Sequence, residues 1–487
     1  MSQRGEIASP PFPPPLVGEG GEGADTAPPL DAAALYAKND ADRYELHSRH
    51  LNEQFVRMLR TIGYDVGFCR GVGQYLYDRS GTQYLDLLSG FGVFAIGRNH
   101  PALREALKSV IEADLPNLVQ FDVSPLAGIL ARQLLAFVPY LDNVFFANSG
   151  AEAAEAAIKF ARAATGRRAI LYCEHAFHGL TNGALSLNGD AIFRTGFEPL
   201  LPDCRAVAFD DLGALECALT WRDIAAFMVE PIQGKGVNVP RDRYLAEAAA
   251  MCRRHGTLFI ADEVQTGLGR TGKFLAIEHW GVEADMVLLA KSLSGGHVPI
   301  GAVLTRKPIY DKVFDRLDRA VVHGSTFAKN DLAMMAGLAT LEVMRREDLV
   351  ARAARLGERL RLALARLVGR YECVRAVRGK GLMIGVEFGP PTSLKLKAGW
   401  NLLEAANKGL FCQLIAIPLF RDHKLLTQVA GHGSHTIKLL PPLIITEEDC
   451  DRIERAFDEV IAAAHCVPGA IWSLGKTLVG NAMQAGG

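Results

Sequence analysis

NVFFANSGAEAAEAAIKFAR, residues 143–162, decides the fold class. Its first five residues are an apolar run of strand length, and the Asn-Ser-Gly turn after them ends it. Ser149 and Glu152 then stand in S-x-x-E spacing, a capping box, ahead of an alanine-rich helical stretch. A strand, a tight turn and a capped helix in immediate succession make half of a βαβ unit.

The same rhythm extends outward. Strand-like runs occur at 168–173, 205–209, 224–229, 257–261, 285–290 and 300–305, with helical patterns between most of them, such as 151–164 and 244–254. From about Pro101 to Met344 the chain therefore predicts an α/β unit, a mostly parallel seven-stranded sheet with helices on both faces. Before it, LNEQFVRMLRTIG (51–63) is helical in pattern, and QYLYDRSGTQYLDLL (74–88) alternates around Ser80-Gly81 as a hairpin does. After about Arg345 the order changes: a long helix (348–371), strand-like CVRAVRG and LMIGVEF, helical 392–409, strand-like HTIKLL and helical 446–464. That reads as a smaller α+β domain. The division predicted is a disordered tail (1–40), a segment joining the small domain (41–98), a large domain (99–344), a small domain (345–466) and a C-terminal tail (467–487).

Composition excludes several classes. The 487 residues are 49% hydrophobic and 22% charged, as in ordinary globular proteins, and are enough for two to three domains. A net charge of -1 offers no basic field for nucleic acid. The nine cysteines are scattered without a CxxC pair, which speaks against a zinc site or a disulfide scaffold and fits a reducing cytoplasm. No metal site is expected. No apolar run reaches the roughly 18 residues of a membrane span, and the N-terminus lacks the pattern of a signal peptide. PPFPPPLVGEGGEG (10–23) is too rich in Pro and Gly to build a core.

Residues able to do chemistry collect at strand ends. In DMVLLAKSLSGGHVPIGA (285–302), Lys291 closes an apolar run just before a Gly-Gly turn. Burial there would lower its pKa and supply the neutral amine that Schiff-base chemistry needs; a lysine snorkelling at a strand end is the plain alternative. Asp262, in TLFIADEVQTGLGRTG, is a carboxylate at the sheet's C-terminal edge, where α/β ligands bind. It is suited to a cationic partner such as a protonated pyridine nitrogen, or equally to a helix cap. Ser149, Gly150 and Ala151 open a helix whose free N–H groups suit a phosphate, or simply cap it. Phe177 and His178, in EHAFHG, follow another strand; an aromatic there could lie on a flat cofactor ring or pack in the core. Glu230 stands at a fourth strand end before Pro231. Ser325 and Thr326, beside Gly324, carry hydroxyls for phosphate oxygens or for a cap. GLGRTGK (267–273) matches G-x-x-x-x-G-K, but Phe274 stands where a P-loop needs Ser or Thr, so a P-loop is not expected.

In this order and spacing, FFANSGAEAAEAAIKFAR, HAFHG, VEPIQG, FIADEVQTGLGRTG, AKSLSGG and HGSTF resemble the class III (ornithine- and acetylornithine-like) pyridoxal-phosphate aminotransferases over about residues 45–465. The resemblance implies the pyridoxal-phosphate transferase fold type I, with the large domain binding the cofactor, and a homodimer with its site between subunits. It implies that Lys291 carries the cofactor and shuttles the proton, and that Asp262 pairs with the pyridine nitrogen. Phe177 and Val264 would cover the two ring faces, and Gln265 would approach the phenolic oxygen. Ser149, Gly150 and Ala151 would hold the phosphate, helped by Thr326 of the partner chain, and Glu230 would be the gate glutamate near the substrate. An amino donor and an aldehyde or keto acceptor would be the small-molecule partners.

Two departures concern substrate. The family often has R-x-x-P where this chain has KLLP, placing Lys438 where an arginine would grip an α-carboxylate as a planar fork; a donor glutamate would meet Lys438 only as a point charge. Phe91, with Phe94, predicts an apolar substrate entrance. FAKND also stands in place of the commoner GGNP, which nothing in the sequence explains. Within the family, residues 409–450 and the ending HCVPGAIWSLGKTL are similar to aminotransferases of bacterial hopanoid biosynthesis. That likeness implies an aldehyde on the side chain of a C35 hopanoid, a lipid-linked acceptor, converted to aminobacteriohopanetriol. An N-acetylornithine or ornithine δ-aminotransferase and a glutamate-semialdehyde-type aminomutase are the alternatives. In 467–487, Ile471, Leu474 and Leu478 share a helical face, which would lie on the protein's own core or on a membrane surface, giving a cytoplasmic protein in peripheral contact with the inner face of the membrane.

Overall fold

The computed structural model describes residues 30–406 and 408–465. The chain divides into two compact units at Met58/Leu59. In the first, Ala32–Asn39 and Arg43–His50 are helices. The expected disorder over 1–40 is thereby corrected from Ala32 onward. Once the Pro-Gly run ends, Asp31 caps the helix, its Oδ1 accepting from the Ala33 N–H at 2.9 Å, and alanines propagate it. Residues 1–29 and the whole 467–487 segment lie outside the described residues.

In the second unit the seven expected strands all form, with bounds within two residues of expectation. They are β1 (Asn143–Ala147), β2 (Ala169–Cys173), β3 (Cys204–Val207), β4 (Ile224–Val229), β5 (Leu258–Asp262), β6 (Met286–Leu289) and β7 (Gly301–Thr305). They pair in the order β1-β7-β6-β5-β4-β2-β3. Only β7 runs against its neighbours. Every residue of β2, β4, β6 and β7 is buried, which is why these strands read as unbroken apolar runs. The six strands that share a direction end on one edge, so the segments holding Ser149, Phe177, Glu230, Asp262 and Lys291 emerge together.

Two smaller sheets complete the unit. Tyr75–Asp78 and Gln83–Asp86 form the expected hairpin, flanked by Phe68–Val72, and Leu425–Leu426 adds in parallel to Gln83–Asp86. Val374–Lys380, Met383–Phe388, Thr436–Leu439 and Gln428–Val429 form an antiparallel sheet. Its helices depart from expectation. The long one spans Leu349–Ala365 rather than 348–371. The one expected over 392–409 is Leu394–Ala406, and a second, unforeseen helix follows at Leu410–Arg421. Phe411, Cys412, Leu414 to Ile417, Leu419 and Phe420 are buried on it, so it is apolar all round and shows no 3.6-residue stripe.

One continuous hydrophobic core runs through the large sheet and the C-terminal elements, so no break in packing falls at residue 345. Arg270 lies inside it, 1% exposed. Its Nη1 donates to the Leu382 carbonyl at 3.1 Å and to the Pro441 carbonyl, and its own carbonyl accepts from Leu382 N–H at 2.9 Å. Residues 267–273 are consecutive turns and not a strand-to-helix phosphate loop, as Phe274 implied. Among the described residues no single helix is long and apolar enough to cross a membrane, and no cluster of side chains is arranged to hold a metal ion.

Candidate active site

At the C-terminal edge of the large sheet, Asp262 closes β5 with 4% exposure. Its Oδ2 accepts from His178 Nδ1 at 2.6 Å and its Oδ1 from the Val264 N–H at 3.0 Å. His178 is buried too. Burial alone would lower its pKa, but the hydrogen bond and charge of Asp262, with Glu230 behind, hold it above the usual imidazole value. His178, which the EHAFHG motif offers as a cofactor contact beside Phe177, here backs Asp262 and fixes that carboxylate's direction.

Lys291 follows β6 at the start of a single 3₁₀ turn, Lys291–Ser294, with φ +44°, a region bulky residues rarely adopt. Burial lowers its pKa, opposed by the charges of Asp262 and Glu230, so the amine is shifted toward its neutral, nucleophilic form. Glu230, just past β4, accepts from the Phe177 N–H at 3.2 Å and the Gly234 N–H at 3.0 Å. Burial raises its pKa, with His178 opposing.

Ser149 caps the Gly150–Thr165 helix, its Oγ accepting from the Glu152 N–H at 3.1 Å. The reciprocal half of the box differs from expectation. The Glu152 carboxylate accepts from the Asn148 N–H at 2.8 Å, one residue earlier than the cap. Gly150 is required for packing: a Cβ there would lie 2.9 Å from Val264 Cγ1. This presses Val264 against the helix start, beside Asp262. Gly150→Ala should cost about 1–3 kcal/mol by overpacking and weaken cofactor binding, checked by thermal denaturation and fluorescence titration.

Phe177 is half-buried, edge-on to Phe193 at 5.6 Å, with Lys235 Nζ 5.2 Å from its ring centre. Phe91 is exposed and adopts φ +61°, and its carbonyl accepts from Gln265 Nε2 at 3.0 Å. Lys438 is 5% exposed on Thr436–Leu439; its Nζ donates to the Gly234 carbonyl at 2.8 Å and to Gln265 Oε1 at 3.3 Å. Burial, then the Lys291 charge, depress its pKa to about 7. Thr326 is exposed, and within the single chain it is Ser325 that bonds near the cap, accepting from Asn148 Nδ2 at 2.6 Å. No motif along the chain signals the Gly234 loop as a hub, where Glu230 and Lys438 both bond, or Lys235.

The donor set can be tested against a phosphorylated pyridine aldehyde. It contains an amine of lowered basicity, a buried carboxylate backed by an imidazole, a helix N-terminus, and apolar groups from Phe177 and Val264. These match an aldehyde, a ring nitrogen, a phosphate and two ring faces in turn, so pyridoxal phosphate fits.

Residues 63–461 match the model of the class III aminotransferases, and the chain belongs to that family. It is a pyridoxal-phosphate-dependent transaminase, and its partners are small-molecule amino donors and acceptors. It is 36% identical over 462 residues to the aminotransferase PigE of Serratia sp., covering 88% of this chain and 54% of that one, so it spans about half of PigE. It is 36% identical to the putrescine aminotransferase of Pectobacterium atrosepticum, over 90% of this chain and 91% of the relative. Among solved structures, the ornithine aminotransferase of Toxoplasma gondii ME49 superposes with a TM-score of 0.77 at 30% identity, covering 90% and 99% of the two chains. An amine transaminase from an uncultivated Pseudomonas species, in its cofactor-bound form, gives 0.73 at 31%, covering 82% and 94%.

Proposed function

We propose that this transaminase acts at terminal carbons, adding an amino group to a terminal aldehyde or, in reverse, removing one from a terminal primary amine. The observation that carries this is Lys438. It stands where the resemblance puts a carboxylate-gripping arginine, and its ammonium is hydrogen-bonded to two neutral oxygens in a buried place. A lysine so engaged gives no planar fork for an α-carboxylate. The exposed Phe91 ring adds apolar surface. The putrescine aminotransferase relative, by its name, handles a terminal diamine.

In this reading Lys291 holds the cofactor aldehyde and moves the substrate proton, and Asp262 keeps the ring nitrogen protonated. Ser149, Gly150 and Ala151 bind the phosphate. Phe177 and Val264 hold the ring between them, Gln265 meets the phenolic oxygen, and Glu230 faces the substrate. When bound, pyridoxal phosphate supplies the electron sink. Thr326 reaches the phosphate of a second copy, so the working form is a homodimer. Supporting this, Phe121 and Val123 on one loop and Leu317, Val321 and Phe327 on another are exposed apolar residues, and Asn117 Oδ1 on the first loop accepts from the Asp331 N–H just beyond the second at 3.0 Å.

The finer proposal is a C35 hopanoid aldehyde as acceptor, with the protein cytoplasmic and touching the inner face of the membrane. What supports it is the likeness of residues 409–450 noted above. The second reading is N-acetylornithine or ornithine δ-transamination, the latter favoured by the Toxoplasma gondii structure.

The test is the first half-reaction with the purified holoenzyme. Putrescine should bleach the visible cofactor band at least about tenfold faster than L-alanine, the discrimination that loss of one charge-assisted contact gives. Equal rates would defeat the proposal. Profiling a deletion strain separates the finer readings. Loss of the aminotriol supports the hopanoid acceptor, whereas arginine auxotrophy points to acetylornithine.

A further inference from the structure

We infer that Lys438 is a positioning residue that sets the orientation of the Gln265 amide toward the cofactor, and not an anchor for substrate. The inference rests on the cofactor chemistry of the class and not on which aldehyde or amine is used.

Gln265 is held at both ends. Its Nε2 donates to the Phe91 carbonyl at 3.0 Å, and its Oε1 accepts from Lys438 Nζ at 3.3 Å. An amide carries two N–H donors on one side and an acceptor oxygen on the other. Turned over, it would set its NH2 against the lysine's donors and its oxygen against the Phe91 carbonyl. Lys438 and Phe91 together therefore select one orientation. In that orientation a second N–H of Nε2 is left over, the donor a phenolic oxygen requires.

The surroundings of Lys438 argue against a substrate role. It lies within the antiparallel C-terminal sheet, facing Gly385 on one neighbour and Gln428 on the other. It is 5% exposed. Its second hydrogen bond goes to the Gly234 carbonyl, and no ion pair to it occurs among the described residues. The charges that act on it are Lys291, which repels it, and Glu230, which attracts it. Both Glu230 oxygens are already taken by the Phe177 and Gly234 N–H groups. An amine kept from solvent and donating to two neutral oxygens acts on those oxygens. Of the two, only the Gln265 oxygen belongs to a side chain.

The consequence is spectroscopic. A donor to the phenolic oxygen stabilises its negative charge most when the neighbouring imine has lost its proton, so this donor lowers the imine pKa. Without Lys438 the amide populates both orientations and part of that effect is lost.

The experiment is a pH titration of the visible absorbance of the holoenzyme in a double-mutant cycle. Lys438→Met should raise the midpoint by about half a pH unit or more, the effect of one hydrogen bond. In a Gln265→Ala background the same substitution should shift the midpoint by much less, because the group it acts through is gone. Equal shifts in both backgrounds would show that Lys438 acts by its charge alone and overturn the inference. An unchanged midpoint with a raised KM for carboxylate-bearing donors would make Lys438 an anchor, which also overturns it. Lys438→Leu, which also removes the donor, carries the same test if the methionine variant misfolds. It should raise the midpoint by a similar amount, and by much less in the Gln265→Ala background.

Discussion

Lys291→Ala abolishes the covalent cofactor band and lowers turnover by about 10⁴-fold or more, since one side chain supplies both the nucleophile and the proton carrier. The protein should stay folded. Lys291 already carries the cost of φ +44°, which alanine at the same backbone angle does not increase. The melting temperature of the cofactor-free variant should match that of the cofactor-free parent. A side effect follows from the geometry: the Lys291 charge is one of the causes that depress the Lys438 pKa, so removing it lets Lys438 become more basic. Borohydride reduction and peptide mapping decide the matter. Cofactor trapped on Lys235 or Lys438 in the parent protein would refute the role of Lys291.

Asp262→Asn has the second-largest effect, with turnover down about 10²- to 10³-fold, as when a site loses one preorganised electrostatic group. Asparagine can still accept from the Val264 N–H, so the loop after β5 should hold. It cannot offset the charge on a ring nitrogen or on His178. The loss also has a pH signature. His178 has a raised pKa in the fold, so its contribution to stability is fully present below about pH 6.5 and fades as pH rises through the folded value. In Asp262→Asn that contribution disappears, and the melting temperature should lose this part of its dependence on pH. Parallel melts of parent and variant that keep the same dependence would show that the pair does not form.

What the sequence displayed was whatever lies close along the chain. β2, β4, β6 and β7 are buried from end to end, so each stood out as an apolar run, and the residue after each run could be placed at a common edge. Pairings between distant segments were hidden. His178 and Asp262 are 84 residues apart, and Lys438 and Gln265 are 173 apart. No periodicity reports that such side chains touch. Glu152 shows a subtler gap: the motif announced the cap, but the carboxylate accepts from the Asn148 N–H and not from that of Ser149. The Leu410–Arg421 helix was lost for the opposite reason, being so apolar that no face stood out. The Asp31-capped helix fell under the expectation set by the proline-rich run before it.

The guanidinium of Arg270 has one more implication. It is buried, its pKa lowered to about 9 by that burial, and its hydrogen bonds join the loop after β5 to carbonyls at Leu382 and Pro441. Sliding the C-terminal sheet away from the catalytic edge would strand a cation in an apolar interior, a penalty of several kcal/mol. Arg270 thus rivets the loop after β5 to the C-terminal sheet at this point.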